Sequence, residues 1–480
     1  MARYDLAIIG AGPGGYVAAI RAAQLGLKTA LIEKDRVGGL CLNWGCVPSK
    51  ALLWNAEVVH LFQRADEFGV TARGLRFDLG KAVDRSRQVV ERTVKGVEFL
   101  LKRNKVDIIS GAGRLHSPHE VEVTPASPAG GPEGRSVEAD HVIVATGAHA
   151  RSIPGVEIDG KVVITSREAL ELREVPESIA IVGGGPVGVE FASLYRAYGS
   201  QVTIIEMLDR LLPTEDQEIS QRLERAFDQQ GIRSLTSARV QGVQLGEGGA
   251  AIQVSVDGRE EEVRASRVLM GVGMAASTEA LGLDALGIAL EKGFVQIDER
   301  MQTSVPGVYA IGDVTGKLML AHVASAQGVA AVEGIAQTGG RLPAGLEPAA
   351  LDYVKMPRAT FCQPQVASIG LTEAQARERG YSVKVGRFPF RANAKAVALG
   401  LTEGVVKLVV DADQGDLLGC HMVGPDVTEL LAEASLGTLM ETTAREVGLT
   451  VHAHPTLSEA FKEAALGAYG QAIHFWREER

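Results

Sequence analysis

Residues 6–33 read LAIIGAGPGGYVAAIRAAQLGLKTALIE: an apolar run, a glycine-rich turn, a stretch of small residues and a second apolar run ending in an acid. The turn is Gly10-Ala11-Gly12-Pro13-Gly14-Gly15 and the acid is Glu33. The pattern predicts strand, helix, strand, with the glycines at the first junction. It recurs far downstream. Residues 179–182 lead into Gly183-Gly184-Gly185-Pro186-Val187-Gly188, a helical stretch over 191–198, an apolar run over 202–205 and then Glu206. In both copies the acid follows the first glycine by 23 residues. One G-x-G-x-x-G is a weak signal, because glycine turns are common. Two copies at matched spacing are a much stronger one than coincidental turns would produce.

The physics asks for these residue types. The first glycine (Gly10, Gly183) makes the tight turn, and the second (Gly12, Gly185) lets the backbone approach a pyrophosphate. The third (Gly15, Gly188) lets the helix pack closely on the strand. The helix N-terminus then offers unpaired N–H groups and a positive dipole end to phosphates. Glu33 and Glu206 are placed to accept hydrogen bonds from a ribose hydroxyl pair. Two dinucleotides are expected, one per repeat. At the second site a carboxylate would repel a 2′-phosphate. The residues after it are Met207, Leu208 and Asp209, with Arg210 only later, so NAD is expected over NADP.

The 480 residues suggest about three domains. With 49 Lys+Arg against 59 Asp+Glu the net charge is −10, which excludes a basic nucleic-acid footprint. A hydrophobic fraction of 46% with 22% charge is that of a globular chain and argues against disorder. Charge-free stretches such as residues 6–20 fall short of the about 20 apolar residues that span a bilayer. The four cysteines are too few for a secreted disulfide framework. The apolar run beginning at Tyr4 leaves no room for a charged leader, so the cytoplasm is the expected location unless a transit peptide has been removed. Residues 125–136, rich in Pro, Gly and Ser, predict a hairpin excursion, and 339–350 a linker. Beyond the linker, strand-like runs at 405–410 and 417–423 and a helix at 430–440 give an α+β pattern.

Cys41 and Cys46 lie in Gly38-Gly39-Leu40-Cys41-Leu42-Asn43-Trp44-Gly45-Cys46-Val47-Pro48-Ser49-Lys50. In a regular helix their Cα atoms would be about 7.5 Å apart along the axis, too far for a relaxed disulfide. Bridging them needs a distorted turn, which Gly45 and Pro48 can supply. A strained local bridge adds little stability but is easily reduced, the property of a catalytic disulfide. On spacing alone, redox use stands beside structural or metal use. A zinc site would want a second Cys/His pair nearby, and none is evident, so no metal is expected.

The paired fingerprints, the segment 38–50, the stretch 303–313 with Tyr309-Ala310-Ile311-Gly312-Asp313, and the C-terminal His452-Ala453-His454-Pro455-Thr456-Leu457-Ser458-Glu459 together resemble the pyridine nucleotide–disulfide oxidoreductases. The resemblance covers essentially the whole chain and is strongest to the branch that oxidises dihydrolipoamide. It implies an α/β fold with two Rossmann-like domains and a C-terminal α+β dimerisation domain. The implied division is 1–150 and 276–345 for FAD, 151–275 for NAD and 346–480 for the interface. It further implies a homodimer in which His454 enters the partner's active site.

Carried over by position, the resemblance implies that Cys46 lies against the flavin as a charge-transfer thiolate and that Cys41 exchanges with the substrate's sulfur. His454 takes the proton, since the thiolate is the nucleophile, and Glu459 orients the imidazole. Lys50 pairs with Glu190 and favours negative charge on the reduced ring. Asp313 binds the ribitol chain. Gly113, Thr146, Gly147, Gly312 and Ala321 are further implied flavin neighbours, and Val240, Gly271 and Gly273 implied NAD neighbours. The implied reaction is ping-pong: dihydrolipoamide reduces the Cys41–Cys46 bridge, electrons pass through FAD, and a hydride leaves to NAD⁺. The implied partners are lipoyl domains and the subunit-binding domain of a 2-oxo acid dehydrogenase acyltransferase, or the glycine-cleavage H protein. A basic binding domain would suit this chain's negative charge.

Several residues have blander readings. Cys362 and Cys420 sit in strand-like contexts and read as inert buried thiols. His421 and His452 read as packed or exposed histidines without a role. Glutathione-reductase relatives would want arginines after the second fingerprint. Mercuric and large thioredoxin reductases would want a cysteine pair near the C-terminus. The alternatives are another disulfide reductase of the family, or a non-catalytic flavoprotein scaffold, which has no need of Cys41, Cys46, His454 and Glu459 together.

Overall fold

The computed structural model describes residues 3–125 and 134–476 and falls into two units. The first comprises the chain up to 52 with 81–151 and 273–353, and the second comprises 53–80, 152–272 and the chain from 354 onward.

In the first unit the quoted stretch folds as β1 (Tyr4–Ile9), α1 (Pro13–Gln24) and β2 (Thr29–Glu33). Next come α2 (Gly39–Trp44), α3 (Cys46–Gln63), which runs on into the second unit, and α4 (Leu79–Arg103). The strands β3 (Asp107–Ser110), β4 (Ala112–Ser117), β5 (Glu120–Thr124) and β6 (Arg135–Val144) follow. Strands β3, β2, β1 and β6 pair in parallel in that order, and Val308–Ala310 adds a further parallel strand on β6. The first half of β6 pairs antiparallel with β5. The expected hairpin thus has its two strands, while 126–133 lie outside the described residues.

The parallel strands are covered on both faces, which is why they read as unbroken apolar runs. Leu6, Ile8, Leu31 and Ile143 pack with Ala18, Ala19 and Ala22 of α1, with Val90, Val94, Val97 and Leu101 of α4, and with the helix Ala321–Thr338. Ala7, Ile9, Ala30, Ile32, Val142 and Val144 pack on the opposite face against Leu115, Val121, Val123 and Val137 of the antiparallel strands. Each large aliphatic so buried contributes about 1.5–3 kcal/mol.

The second unit repeats the plan. Strands β7 (Ser178–Val182), β8 (Gln201–Ile205) and β9 (Ile232–Leu235) alternate with α5 (Pro186–Ala197) and α6 (Gln217–Gln229). The parallel order is β9, β8, β7, β10 (Arg267–Met270), then Val163–Ile164. Helix α5 begins at Pro186, directly after the glycine turn, because proline is favoured at the first helical position. The antiparallel strands Ala238–Gly246, Gly249–Val256 and Arg259–Ala265 stand where β4–β6 stand in the first copy. Here the third strand and β10 are separate, parted at Ser266, whose Oγ donates to the Ser178 carbonyl (2.6 Å).

The same unit carries a five-stranded antiparallel sheet ordered Arg358–Thr360, Gln365–Gly370, Leu417–Gly424, Val405–Asp411, Val383–Pro389. The expected strands at 405–410 and 417–423 are present, and the expected helix spans Val427–Leu439. This helix and α7 (Glu459–Gly467) pack on the sheet around Phe388, Phe390, Leu408, Met422 and Phe461. No helix among the described residues is long and apolar enough to cross a membrane.

Candidate active site

Cys41 and Cys46 are joined by a disulfide with their Cα atoms 4.7 Å apart. Gly45, at φ −139° and ψ −111°, breaks the helix between them, so Cys41 sits in α2 and Cys46 is the first residue of α3. Pro48 lies inside the first turn of α3, where its missing N–H costs nothing, so the distortion comes from Gly45 alone. The buried Asn43 amide donates to the Val37 and Gly39 carbonyls (3.0 Å each), and Ser49 Oγ donates to the Gly45 carbonyl (2.8 Å). Cys41 is half-buried against the core and Cys46 is exposed. At the head of a helix, a Cys46 thiolate meets unpaired N–H groups and the positive dipole end. No group of three or more His, Cys, Asp or Glu among the described residues is arranged to hold a metal. Lys50, half-buried, stands one turn beyond Cys46.

The two glycine loops are near copies of each other. Gly10 (φ +106°) and Gly183 (φ +112°) both need the left-handed region, and a Cβ on either would strike a backbone carbonyl, of Ala145 or Gly271. A Cβ on Gly15 or Gly188 would fall on the carbonyl oxygen of Gly10 or Gly183. On Gly12 or Gly185 it would meet nothing within 4 Å. Each of those two glycines is the N-cap of its helix with no side-chain cap, followed by proline. The loops therefore present open backbone and uncapped helix N-termini, which fits two pyrophosphates.

Glu33 Oε2 accepts from Ala11 N (2.7 Å) and Oε1 from Asp35 N (2.8 Å). Glu206 Oε2 accepts from Gly184 N (2.5 Å) and Oε1 from Leu208 N (2.8 Å). Both acids pin their own glycine loop to the end of the second strand, a role the spacing alone did not suggest. Each carboxylate keeps further lone pairs for a ribose hydroxyl.

Around the first loop, Thr146 Oγ1 donates to the Ser277 carbonyl (2.7 Å), and Gly147 (φ +72°) receives Ser277 N on its own carbonyl (3.0 Å). Gly312 (φ +75°) donates its N–H to Gln327 Oε1 (2.6 Å), and Gln327 Nε2 donates to the Tyr353 hydroxyl (2.9 Å). Burial pushes the neighbouring Asp313 carboxyl up to about 6. Ala321 opens an uncapped helix. Gly113 faces the side chains of Ile9, Ile32 and Val121, so only its backbone is available to a ligand.

Around the second loop, Gly271 N donates to the Val182 carbonyl (2.7 Å) at the end of β7. Val240 is half-buried at a register shift between it and Gly242. Gly273 (φ +95°) belongs to the first unit, where its carbonyl accepts from Arg151 N (3.3 Å). Glu190 on α5 is buried, and its Oε1 accepts from Phe361 N (3.0 Å).

His454 Nδ1 lies 2.9 Å from Glu459 Oε1, while Glu459 Oε2 accepts from Thr456 N (2.9 Å). Burial raises the Glu459 carboxyl, but the Thr456 N–H and the His454 imidazole outweigh it and hold the group below the usual carboxylate range. The His454 side chain is 70% exposed, and its Nε2 enters no hydrogen bond among the described residues. The geometry is that of a base oriented by an acid.

Sequence reading missed a second such pair one turn on: His474 Nδ1 lies 2.9 Å from the buried Glu463. Glu463 lies within α7 and His474 beyond the turn that ends it, so no single helical or strand period links them. His452, 5% exposed, bonds Glu433 through Nε2 (2.9 Å) and is packed. His421 is buried with Nε2 on the Leu371 carbonyl (2.8 Å), and burial lowers its pKa. Cys362 and Cys420 are buried thiols, and Cys362 Sγ donates to the Pro364 carbonyl (3.2 Å).

A family model described as pyridine nucleotide-disulphide oxidoreductase matches residues 4–328, and one for the dimerisation domain of the same proteins matches 356–465. Similar curated proteins include the dihydrolipoyl dehydrogenases of Mycobacterium leprae (49% identical, covering 99% of this chain and 100% of the relative) and Zymomonas mobilis (46%, covering 98% and 99%). Among solved structures, LpdA from Mycobacterium tuberculosis superposes with a TM-score of 0.87 at 29% identity, covering 97% of this chain and 99% of that one. The HOCl-induced flavoprotein disulfide reductase RclA from Escherichia coli, solved as a Cu(II) complex, gives 0.84 at 27%, covering 97% and 99%.

Proposed function

The chain belongs to the pyridine nucleotide-disulphide oxidoreductase family, and on that premise we propose that it oxidises protein-bound dihydrolipoamide with NAD⁺, the activity of a dihydrolipoyl dehydrogenase. The observation that carries the reading is the Cys41–Cys46 bridge at the head of α3, in a chain that also holds two open glycine loops.

One substrate thiolate attacks Cys41 Sγ, forming a mixed disulfide and releasing Cys46 as a thiolate held at the helix N-terminus. The second substrate thiolate then closes the lipoamide disulfide and releases Cys41. His454 Nε2 takes the proton that leaves the dithiol, and Glu459 holds the ring through Nδ1 and stabilises its cation. FAD, when bound at the first loop, supplies the two-electron relay from the dithiol pair to NAD⁺. Gly10, Gly12, Gly15, Glu33, Thr146, Gly147, Gly312, Asp313 and Ala321 would hold it, with the backbone of Gly113. Gly183, Gly185, Gly188, Glu206, Val240, Gly271 and Gly273 would hold NAD. Lys50, one turn beyond Cys46, would place positive charge beside the flavin. The net change is dithiol and NAD⁺ to disulfide, NADH and one proton.

His454 acts on a second copy of the chain. The exposed Leu436, Leu439, Met440, Leu449 and Val451 supply the apolar surface that a homodimer buries. The finer partners follow the same reading: lipoyl domains and the subunit-binding domain of a 2-oxo acid dehydrogenase acyltransferase, or the glycine-cleavage H protein. The four-part division 1–150, 151–275, 276–345 and 346–480 also belongs to it.

The deciding assay is NADH formation from dihydrolipoamide and NAD⁺ by the purified flavoprotein, with NADP⁺ as control. Turnover with NAD⁺ alone is expected. A bridge that NADH reduces without any lipoamide turnover would leave the redox chemistry and discard the substrate; a preference for NADP⁺ would discard the Glu206 argument.

A further inference from the structure

Helix α4 buries one stripe: Val83, Val90, Val94, Val97 and Leu101, spaced three, four or seven residues apart. Position 87 lies on that stripe, four residues after Val83 and three before Val90, yet it is an arginine. Val90, Val94, Val97 and Leu101 share one buried cluster with Val37, just before the cysteine turn, and Leu42, inside it. From there Arg87 Nη1 donates to the Asn43 carbonyl (2.8 Å), close to the C-terminus of α2. The same Asn43 anchors its side chain to Val37 and Gly39. The nearby Arg85 bonds the Ala51 carbonyl on α3 (3.4 Å), and Glu91, one turn on, is exposed and paired with Arg36 (2.5 Å).

We propose that Arg87 is a positioning residue for the redox bridge: its guanidinium clamps the Asn43 carbonyl between the two cysteines, and its charge favours the reduced dithiol state. The inference rests on reading Cys41–Cys46 as the redox pair. A cation at a helix C-terminus is favourable, and a half-buried one is screened little. Asn43 lies within three residues of both cysteines, at most about 11 Å of chain. At that range a unit charge, with an effective dielectric near 20, shifts an equilibrium by about tenfold. Reduction of the bridge breaks one S–S bond and adds two electrons and one proton, which leaves Cys41 as a thiol and Cys46 as a thiolate, and that negative charge is what Arg87 stabilises.

The test equilibrates the holoenzyme with reduced and oxidised dithiothreitol and traps thiols for mass spectrometry. Dithiothreitol closes its own disulfide as the protein's opens, so no lipoamide is needed and the outcome is independent of the physiological substrate. R87Q is expected to shift the equilibrium about tenfold toward the bridged form, with R87K within about twofold of wild type. R87M, whose apolar chain suits a stripe position, carries the test if R87Q does not fold. Hydride exchange between NADH and flavin, which does not pass through the bridge, should hold in all three. An unshifted equilibrium in R87Q or R87M, with or without a lower melting temperature, overturns the proposal. So does a shift in R87K as large as that in R87M.

Discussion

The imidazole of His454 stands out from the surface with Nδ1 tied to Glu459 and Nε2 unengaged by any described residue, the arrangement a proton acceptor needs. Replacing it with Gln should slow the dithiol half-reaction by about 10²–10⁴ in stopped-flow experiments while leaving flavin reduction by NADH unchanged. Cys41→Ser should abolish lipoamide turnover and preserve hydride exchange between NADH and flavin; loss of both would contradict the division of labour between the cysteines. Asp313 titrates near 6 in the folded chain because burial disfavours its charge. Unfolded, it titrates near 3.9. Between those values the folded state holds a proton that the unfolded state has lost, so this group's contribution to stability falls as pH rises from about 4 to 6 and is flat above. Apo Asp313→Asn should therefore melt above wild type at pH 7.5, with a smaller gap at pH 5, while retaining FAD less well. Cys41, Cys46, His454 and Glu459, the residues proposed for these roles, stand in motifs the sequence displays, and the bridge and the His454–Glu459 contact are both formed. The His474–Glu463 pair was not, since nothing local relates its members.

The two β–α–β units divide their glycines by mechanism, and substitution should separate them. Gly15→Ala and Gly188→Ala put a methyl on a carbonyl oxygen of their own loop. Both should cost helix–strand packing and lower the melting temperature. Gly12→Ala and Gly185→Ala meet nothing in the protein. They should leave the melting of the apo chain nearly unchanged, with Gly12→Ala losing FAD and Gly185→Ala raising the KM for NAD⁺. The sequence pattern placed strands and loops to within a residue or two, because periodicity and turn chemistry are local. It placed the second helix directly after the glycine turn, where Pro186 takes the first helical position. It could not show that Glu33 and Glu206 brace their own loops.

Across larger distances the second unit is joined by buried charge. Lys407, with 4% of its side chain exposed, bonds Asp216 (2.8 Å, 3% exposed) and Glu373 (3.0 Å), and Arg358 bonds Glu215 (2.9 Å). These contacts fasten the N-terminus of α6, in the strand–helix repeat of the unit, to the antiparallel sheet. Lys407→Met leaves Asp216 buried without its partner and should cost about 3–5 kcal/mol in denaturant unfolding. Assembly has its own test: Val451→Asp places a charge in the apolar surface proposed for the dimer, and gel filtration should show monomer with lipoamide turnover lost. A fully active monomer would sink the shared-site reading. Glycine turns, strand periods, the acid 23 residues on and the cysteine turn are set by neighbours in the chain, and backbone sterics act over a few residues, so they could be read directly. Which carboxylate meets Lys407, where Arg87 points and which imidazole Glu463 holds depend on side chains brought together from distant positions. Those pairings follow from packing and the cost of burying charge, which no local pattern records.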